Sequence, residues 1–116
     1  EFGLKIGVFG HCGDGNLHVN FMYNEEDADE TQRSVKALTK LMSTVISLGG
    51  AISGEHGVGL AKTPFVQEQF NQAEWDAMLS IKKSLDPKGI LNPGKIFEVF
   101  KPWETKKLKV DLPWEK

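Results

Sequence analysis

A disulfide framework, a membrane span and a basic nucleic-acid-binding surface are all missing from this sequence. The one cysteine, Cys12, has no partner for an intramolecular disulfide, which favours a reducing compartment, and we expect a small buried thiol there. No apolar run approaches the roughly 18 residues that a membrane span requires. The net charge of -2 offers no basic field to a nucleic acid. We therefore expect a cytoplasmic globular protein that binds no nucleic acid.

An initiator methionine is also missing, and the chain begins at once with a strand pattern, EFGLKIGVFG. We expect this to be a piece of a longer polypeptide that carries only part of a functional site. Its 116 residues suit one domain with a modest core. We assign residues 1–100 to that domain and residues 101–116 to a polar, lysine-rich tail.

Two short strands are predicted near the start of the chain. Apolar residues alternate with other residues over about residues 3–9 and again over residues 17–23, which is the period of a strand. The second strand has an apolar face and a face that carries His18 and Asn20. Because the connection between the strands is short, we expect them to pair antiparallel.

A long amphipathic helix is predicted next. Asn24 is the candidate N-cap, acidic residues follow it, and apolar residues recur at three- and four-residue steps over residues 35–48. The glycines at 49–50 end the helix as a C-terminal cap does. Residues 51–53 are predicted to form a short extended piece.

Two further helix starts lie in the second half of the chain. Thr63 reads as an N-cap followed by Pro64 at the first helical position, and Asn71 with Glu74 resembles a capping box. The last helix is expected to bury a stripe made of Trp75, Met78, Ile81 (or Leu79) and Leu85. The order of elements predicts an α+β fold with helices packed on one face of a small antiparallel sheet.

All three histidines lie in two glycine-rich stretches, GHCGDGNLHVN at 10–20 and SGEHGVG at 53–59, which contain the loops GHCGDG and GEHGVG. Both loops read G-x-x-G-x-G, the reverse of the dinucleotide fingerprint, and neither is followed by the strand–turn–helix unit which that fingerprint requires. A Walker-type phosphate loop is excluded because GK[ST] follows neither stretch. Imidazole chemistry is therefore the more informative signal in these loops.

Histidine and glutamate side chains in these loops suit a divalent metal such as zinc. We expect His11 and His18 to reach one side of the hairpin, with Glu55 as a third ligand and an open position for water or substrate. Asn20 shares the His18 face, where it can orient the bound molecule. His56 is expected to point away from Glu55, towards substrate, as a general base. The alternative is that these loop residues serve structure alone.

Three blocks in this order, GHCGDGNLHVN, GGAISGEHGVGLAK and DPKGILNPGKIF, resemble the C-terminal part of FAD-linked 2-hydroxy-acid oxidases and dehydrogenases. These enzymes belong to the vanillyl-alcohol oxidase superfamily and include the glycolate oxidase flavin subunit, D-lactate dehydrogenase and D-2-hydroxyglutarate dehydrogenase. The resemblance covers about residues 4–98. It implies part of a ferredoxin-like cap domain, followed by C-terminal helices and the tail.

The resemblance also implies roles for matching residues. His11, His18 and Glu55 become ligands of a divalent metal, zinc or manganese-like. Asn20 becomes a substrate contact, and His56 both binds substrate and acts as the catalytic base.

The resemblance implies FAD as cofactor, gripped mainly by an N-terminal domain outside this chain, with Asn92 of the LNPGK block as a cofactor contact. The implied reaction oxidises a small D-2-hydroxy acid, of glycolate or D-lactate type, to the 2-oxo acid, with the hydride passing to FAD. The implied partners are the substrate, the FAD domain and an electron acceptor, for which a separate subunit is one candidate. Attachment of the intact enzyme to a membrane surface is an alternative to a purely cytoplasmic location.

Expressed alone, the piece is expected to be inactive and to self-associate through an unpaired sheet edge. Two other classes of protein compete with this interpretation. One is a non-catalytic ferredoxin-like regulatory module that binds a metal or a small acid. The other is a self-sufficient metallohydrolase, which would hydrolyse its substrate without flavin.

Overall fold

The computed structural model describes residues 1–98, which begin with an antiparallel hairpin. Strand β1, Lys5–His11, pairs with strand β2, Asn16–Met22, in a register that sets Val8 opposite Val19. A 3₁₀ turn at Cys12–Asp14 connects the two strands. Cys12 is exposed, so the expectation of a buried thiol is wrong. The antiparallel pairing is confirmed, although β1 begins and ends two residues later than predicted.

The two faces of the hairpin differ as the alternation predicts. Cross-strand neighbours place an apolar set on one face, namely Ile6, Val8, Leu17, Val19 and Phe21. Three members of this set are more than half exposed: Ile6 at 53%, Val8 at 57% and Leu17 at 53%. The opposite face carries Phe9, His18 and Asn20. The polar side chains of His18 and Asn20 therefore lie on one face of the sheet, and this apolar set lies on the other.

Helix α1, Ala28–Ser47, begins later than expected. Its N-cap is Asp27, whose carboxylate accepts hydrogen bonds from two backbone N–H groups of the first turn. Asn24, the predicted cap, instead accepts from the N–H of Glu26 in the preceding turn. The acidic run offers several competing cap residues, and the one with extended backbone next to the helix takes the role. Gly49, with φ at 77°, follows the helix end as predicted.

Two shorter helices follow, α2 at Thr63–Gln69 and α3 at Gln72–Leu85. In α2 the N-cap position is Lys62 and Thr63 is already helical, which shifts the predicted start by one residue. In α3 the predicted capping box is confirmed: Asn71 accepts from the Glu74 N–H at 3.1 Å, and the Glu74 carboxylate accepts from the Asn71 N–H at 2.8 Å.

The buried apolar cluster of residues 1–98 lies between α1, α2 and the loop that joins them, and consists of Met42, Ile52, Phe65 and Val66. Residues 51–53, predicted as a short extended piece, contain a bend at Ile52 and join neither strand of the sheet. Ile52 is nevertheless buried, and its N–H donates to Gln69 Oε1 at 2.8 Å. The side-chain oxygen of Gln69 therefore pairs with the Ile52 N–H, which has no strand partner.

The buried stripe predicted for α3 is only partly present. Trp75 packs against the buried cluster, and Met78 and Leu79 are half-buried. Ile81 and Leu85 are exposed at 62% and 79%, so their predicted burial is wrong. Periodicity identified a face of the helix, but no described residue covers Ile81 or Leu85 on that face.

The α+β class with a small antiparallel sheet is confirmed. Within residues 1–98, no helix is both long and apolar enough to cross a membrane. The predicted tail, residues 101–116, lies outside the described residues. Its assignment as a separate segment stays a prediction.

We expect the chain on its own to self-associate in a concentration-dependent way. Among the described residues the sheet has two strands, so both outer edges lack a partner, next to an exposed apolar face. The substitutions Ile6→Lys and Val8→Lys should each shift light-scattering mass towards the monomer. Ile81→Lys, which removes an isoleucine that is at least as exposed but lies in α3, should not shift the mass. Monomeric elution of the unaltered chain across a wide concentration range would contradict this expectation.

Candidate metal and proton-transfer site

The hairpin sets two imidazoles side by side. His11 ends β1, and His18 lies in β2 opposite Phe9, so all three project from the same face. The ring centroids of His11 and His18 are 6.3 Å apart, and the Phe9 ring lies 5.1 Å from the His18 ring. Phe9 therefore packs beside the more buried of the two histidines, whose side chain is 22% exposed.

The second glycine loop brings Glu55 to these rings. Its Oε1 lies 3.1 Å from His18 Nε2 and 3.8 Å from His11 Nε2. His56 Nε2 also lies 3.4 Å from the same oxygen. One carboxylate oxygen thus faces the Nε2 atoms of all three histidines in the sequence. The prediction that Glu55 of the second loop lies close to His11 and His18 is therefore confirmed.

His56 does not point away from Glu55, so this part of the prediction is wrong. Its ring centroid lies 4.9 Å from that of His18, and its side chain is 69% exposed. The prediction assumed extended chain, in which neighbouring side chains alternate. Residues 54–56 form bends instead of extended chain, so Glu55 and His56 reach the same side.

The distances among His11, His18 and Glu55 fit a divalent metal. One ligand atom from each can be chosen so that all lie within 4.8 Å of one another. Tetrahedral zinc with bonds of about 2.1 Å requires ligand atoms about 3.4 Å apart. The separations of 3.1 Å and 3.8 Å from Glu55 lie on either side of that value. Two neutral imidazoles and one carboxylate are also the donor types that zinc prefers.

The two asparagines occupy different places. Asn20 lies in β2 opposite Gly7, two residues beyond His18 and on the same face, as predicted. Asn92 lies in the turn after α3, with φ at 46°, and its backbone oxygen accepts from the Lys95 N–H at 3.2 Å. The Asn92 side chain is exposed and makes no hydrogen bond within residues 1–98. It is not part of the group around Glu55.

Sequence reasoning missed two supporting residues, Asn16 and Phe9. Asn16 lies opposite His11, and its side chain meets Gly54 so closely that a Cβ there would overlap Oδ1 and lie 2.8 Å from Cγ. Phe9 was overlooked because the apolar alternation of β1 falls on the other face. The hairpin register would have identified both, since it fixes which residues lie opposite one another.

Gly54→Ala should separate the two loops. The added methyl group would displace the Asn16 side chain and with it the segment that carries Glu55, at a cost of about 1–3 kcal/mol in the free energy of unfolding. Gly13→Ala is the matched control, because a Cβ at Gly13 meets nothing within 4 Å. Asn16→Ala in the Gly54→Ala background should recover much of the loss in chemical denaturation. A Gly54→Ala protein as stable as Gly13→Ala would show that this contact is unimportant.

Comparison with known proteins identifies the chain's relatives. Residues 1–96 match the family described as FAD linked oxidases, C-terminal domain. The chain is 41% identical over 97 residues to glycolate oxidase subunit GlcD of Bacillus subtilis, covering 84% of this chain and 21% of that protein. It is 43% identical over 96 residues to D-2-hydroxyglutarate dehydrogenase of Stutzerimonas stutzeri, covering 81% of this chain and 21% of that protein.

A vertebrate protein is similar to this chain as well. The chain is 36% identical over 92 residues to a probable mitochondrial D-lactate dehydrogenase of Danio rerio, covering 79% of this chain and 18% of that protein. The chain therefore spans about a fifth of the length of the curated relatives it matches.

Proposed function

This chain belongs to the family of FAD-linked oxidase C-terminal domains, and from this premise we propose that it forms the substrate side of a flavin-dependent 2-hydroxy-acid dehydrogenase. The proposed reaction oxidises a small D-2-hydroxy acid, of glycolate or D-lactate type, to the 2-oxo acid. Relatives named for glycolate, D-lactate and D-2-hydroxyglutarate support this class, because those three acids share a hydroxyl beside a carboxylate.

The observation that carries the proposal is the approach of three imidazoles to one oxygen of Glu55 on an exposed sheet face. We assign His11, His18 and Glu55 to hold a divalent ion, zinc or manganese-like. The chemistry that such an ion supplies when bound is Lewis-acid polarisation of the substrate's hydroxyl and carboxylate oxygens. The side chains of the hairpin face then have two tasks, which are to orient the acid and to accept a proton.

We assign the proton to His56. Because its Nε2 lies beside Glu55, the other ring nitrogen, Nδ1, is the one that takes the hydroxyl proton. The Cα–H bond breaks as a hydride that leaves to the flavin, so the acid loses two electrons and two protons in total. Asn20, on the His18 face, holds the substrate's polar end by its carboxamide.

FAD would be held mainly by an N-terminal domain outside this chain. Asn92 is the residue that we assign to contact it, because an exposed carboxamide with no partner in residues 1–98 offers two donors and an acceptor to a polar cofactor edge. The proposed partners are that domain and an electron acceptor, with a separate acceptor subunit as one candidate. We propose a cytoplasmic location, with membrane-surface attachment of the intact enzyme as the alternative.

Flavin absorbance and bleaching test the proposal. Purified alone, the chain should be colourless and inactive, whereas the full-length protein should be yellow and should bleach anaerobically with a D-2-hydroxy acid. Glycolate, D-lactate and D-2-hydroxyglutarate form the test panel, and 3-hydroxypropionate, whose hydroxyl is not adjacent to the carboxylate, is the matched control. A stoichiometrically yellow chain would overturn the domain assignment. A full-length protein that no 2-hydroxy acid bleaches would overturn the substrate class and favour a non-catalytic module.

A further inference from the structure

A nearly buried carboxylate closes the end of α3. The Asp86 side chain is 4% exposed, and it pairs with the ammonium group of Lys82 one turn earlier. Its Oδ1 accepts the N–H of Ile90 at 3.0 Å, and its Oδ2 accepts the N–H of Leu91 at 3.0 Å. A single carboxylate thus holds both the last turn of the helix and the loop that follows it.

Lys82 completes the arrangement from the other side. Its Nζ donates to the carbonyl oxygen of Leu91 at 2.6 Å, so both backbone polar groups of Leu91 are engaged by this charged pair. The hydrogen bond from Lys82 lowers the pKa of Asp86, and the N–H groups of Leu91 and Ile90 lower it further, although burial opposes them. Asp86 is therefore ionised at neutral pH, as charge-assisted bonds of this kind require.

The loop held by this pair has no apolar anchor of its own. Ile90 and Leu91 are 69% and 59% exposed, so burial of their side chains does little to fix the backbone. Asn92 follows immediately, in the left-handed region with φ at 46°. The direction of its carboxamide therefore depends on where Leu91 is held, and Leu91 is held by Lys82 and Asp86.

We propose that Lys82 and Asp86 are positioning residues for Asn92, which hold its carboxamide in the orientation needed to contact FAD. This inference rests on the proposed function, in which Asn92 touches the cofactor. The competing account is that the pair only stabilises the end of α3. In that case, substitution would affect stability and leave the flavin environment unchanged.

The test uses the full-length enzyme and measures FAD affinity after deflavination, together with the reduction potential and the thermal unfolding midpoint. The variants are Lys82→Met, Asp86→Asn, Asn92→Ala and the double variant Asp86→Asn/Asn92→Ala. Lys83→Met is the matched control, because it removes a neighbouring ammonium group from the exposed surface of the same helix.

Lys82→Met, Asp86→Asn and Asn92→Ala should each weaken FAD binding by about tenfold. A factor of ten corresponds to the contribution of roughly one hydrogen bond. Lys83→Met should leave affinity and potential unchanged, and the double variant should bind FAD no more weakly than Asn92→Ala alone. If Asp86→Asn fails to fold, Lys82→Met decides the matter, since it keeps the carboxylate and its two backbone bonds.

Two results would overturn the inference while the proposed cofactor contact stands. One is unchanged FAD affinity in Lys82→Met and Asp86→Asn while Asn92→Ala is weakened. The other is losses that add in the double variant, which would show that the pair acts independently of Asn92. Unchanged affinity in Asn92→Ala would instead overturn the proposed cofactor contact, and the inference with it.

Discussion

His56→Asn in the full-length enzyme should slow flavin reduction by about 10²–10⁴-fold, the usual contribution of a general base. The imidazole is 69% exposed on the site face, and its Nε2 lies 3.4 Å from Glu55 Oε1. In the proposed mechanism Nδ1 therefore accepts the substrate's hydroxyl proton. Asparagine keeps a polar side chain of similar reach but cannot accept a proton at neutral pH. A single turnover under anaerobic conditions isolates the chemical step from reoxidation of the flavin.

Metal content and thermal stability, measured on the same protein, show whether the loss is chemical. His56→Asn should retain the bound metal, the substrate affinity and the unfolding midpoint of the unaltered enzyme. His56 approaches the same Glu55 oxygen as His11 and His18. The alternative to a general base is therefore that His56 is itself a metal ligand. Loss of metal in this variant would establish that role, and an unchanged reduction rate would remove His56 from the mechanism.

Glu55→Gln should lower metal affinity by more than about 100-fold. Substituting the partners that merely orient ligands costs about 10–100-fold, and Glu55 is the one carboxylate of the proposed ligand set. The amide keeps the shape of the carboxylate but loses its negative charge and one acceptor oxygen. Added metal should therefore partly restore the rate of flavin reduction, which it should not do for His56→Asn.

Asp14→Asn is the matched control for Glu55→Gln. Asp14 is an exposed carboxylate in the neighbouring glycine loop, and it does not belong to the group of ligand atoms found within residues 1–98. Asp14→Asn also removes one negative charge, at a position close to His11 in the sequence. This variant should leave metal affinity nearly unchanged. Equal losses in the two variants would mean that the net charge of the loops, rather than ligation by Glu55, governs metal binding.

Local pattern was enough to predict several elements of this protein. Alternation predicted the hairpin and the shared face of His18 and Asn20, because strand side chains repeat every two residues whatever surrounds them. The Asn71–Glu74 capping box was predictable for the same reason, since both partners lie within one turn. The family was recognisable from three ordered blocks, and the match over residues 1–96 confirms it.

Local sequence pattern failed in two situations: where several residues could cap the same helix, and where burial depended on a second surface. The acidic run offered Asn24 and Asp27 as caps, and only the folded chain shows that Asp27 takes the role. In α3, periodicity predicted a buried stripe, but burial requires a second surface, and Ile81 and Leu85 meet none among the described residues. Helical period reports which side chains share a face, not whether anything covers that face.

The sequence by itself determined that all three histidines lie in two glycine-rich stretches, one of which also contains Glu55, and it predicted these four residues as the candidate site. Only the tertiary structure decided that all three histidines face one oxygen of Glu55, because the whole of α1 lies between His18 and the second loop in the sequence. Distances between segments far apart in the chain depend on packing and on turns that glycine permits, and neither follows from a local period.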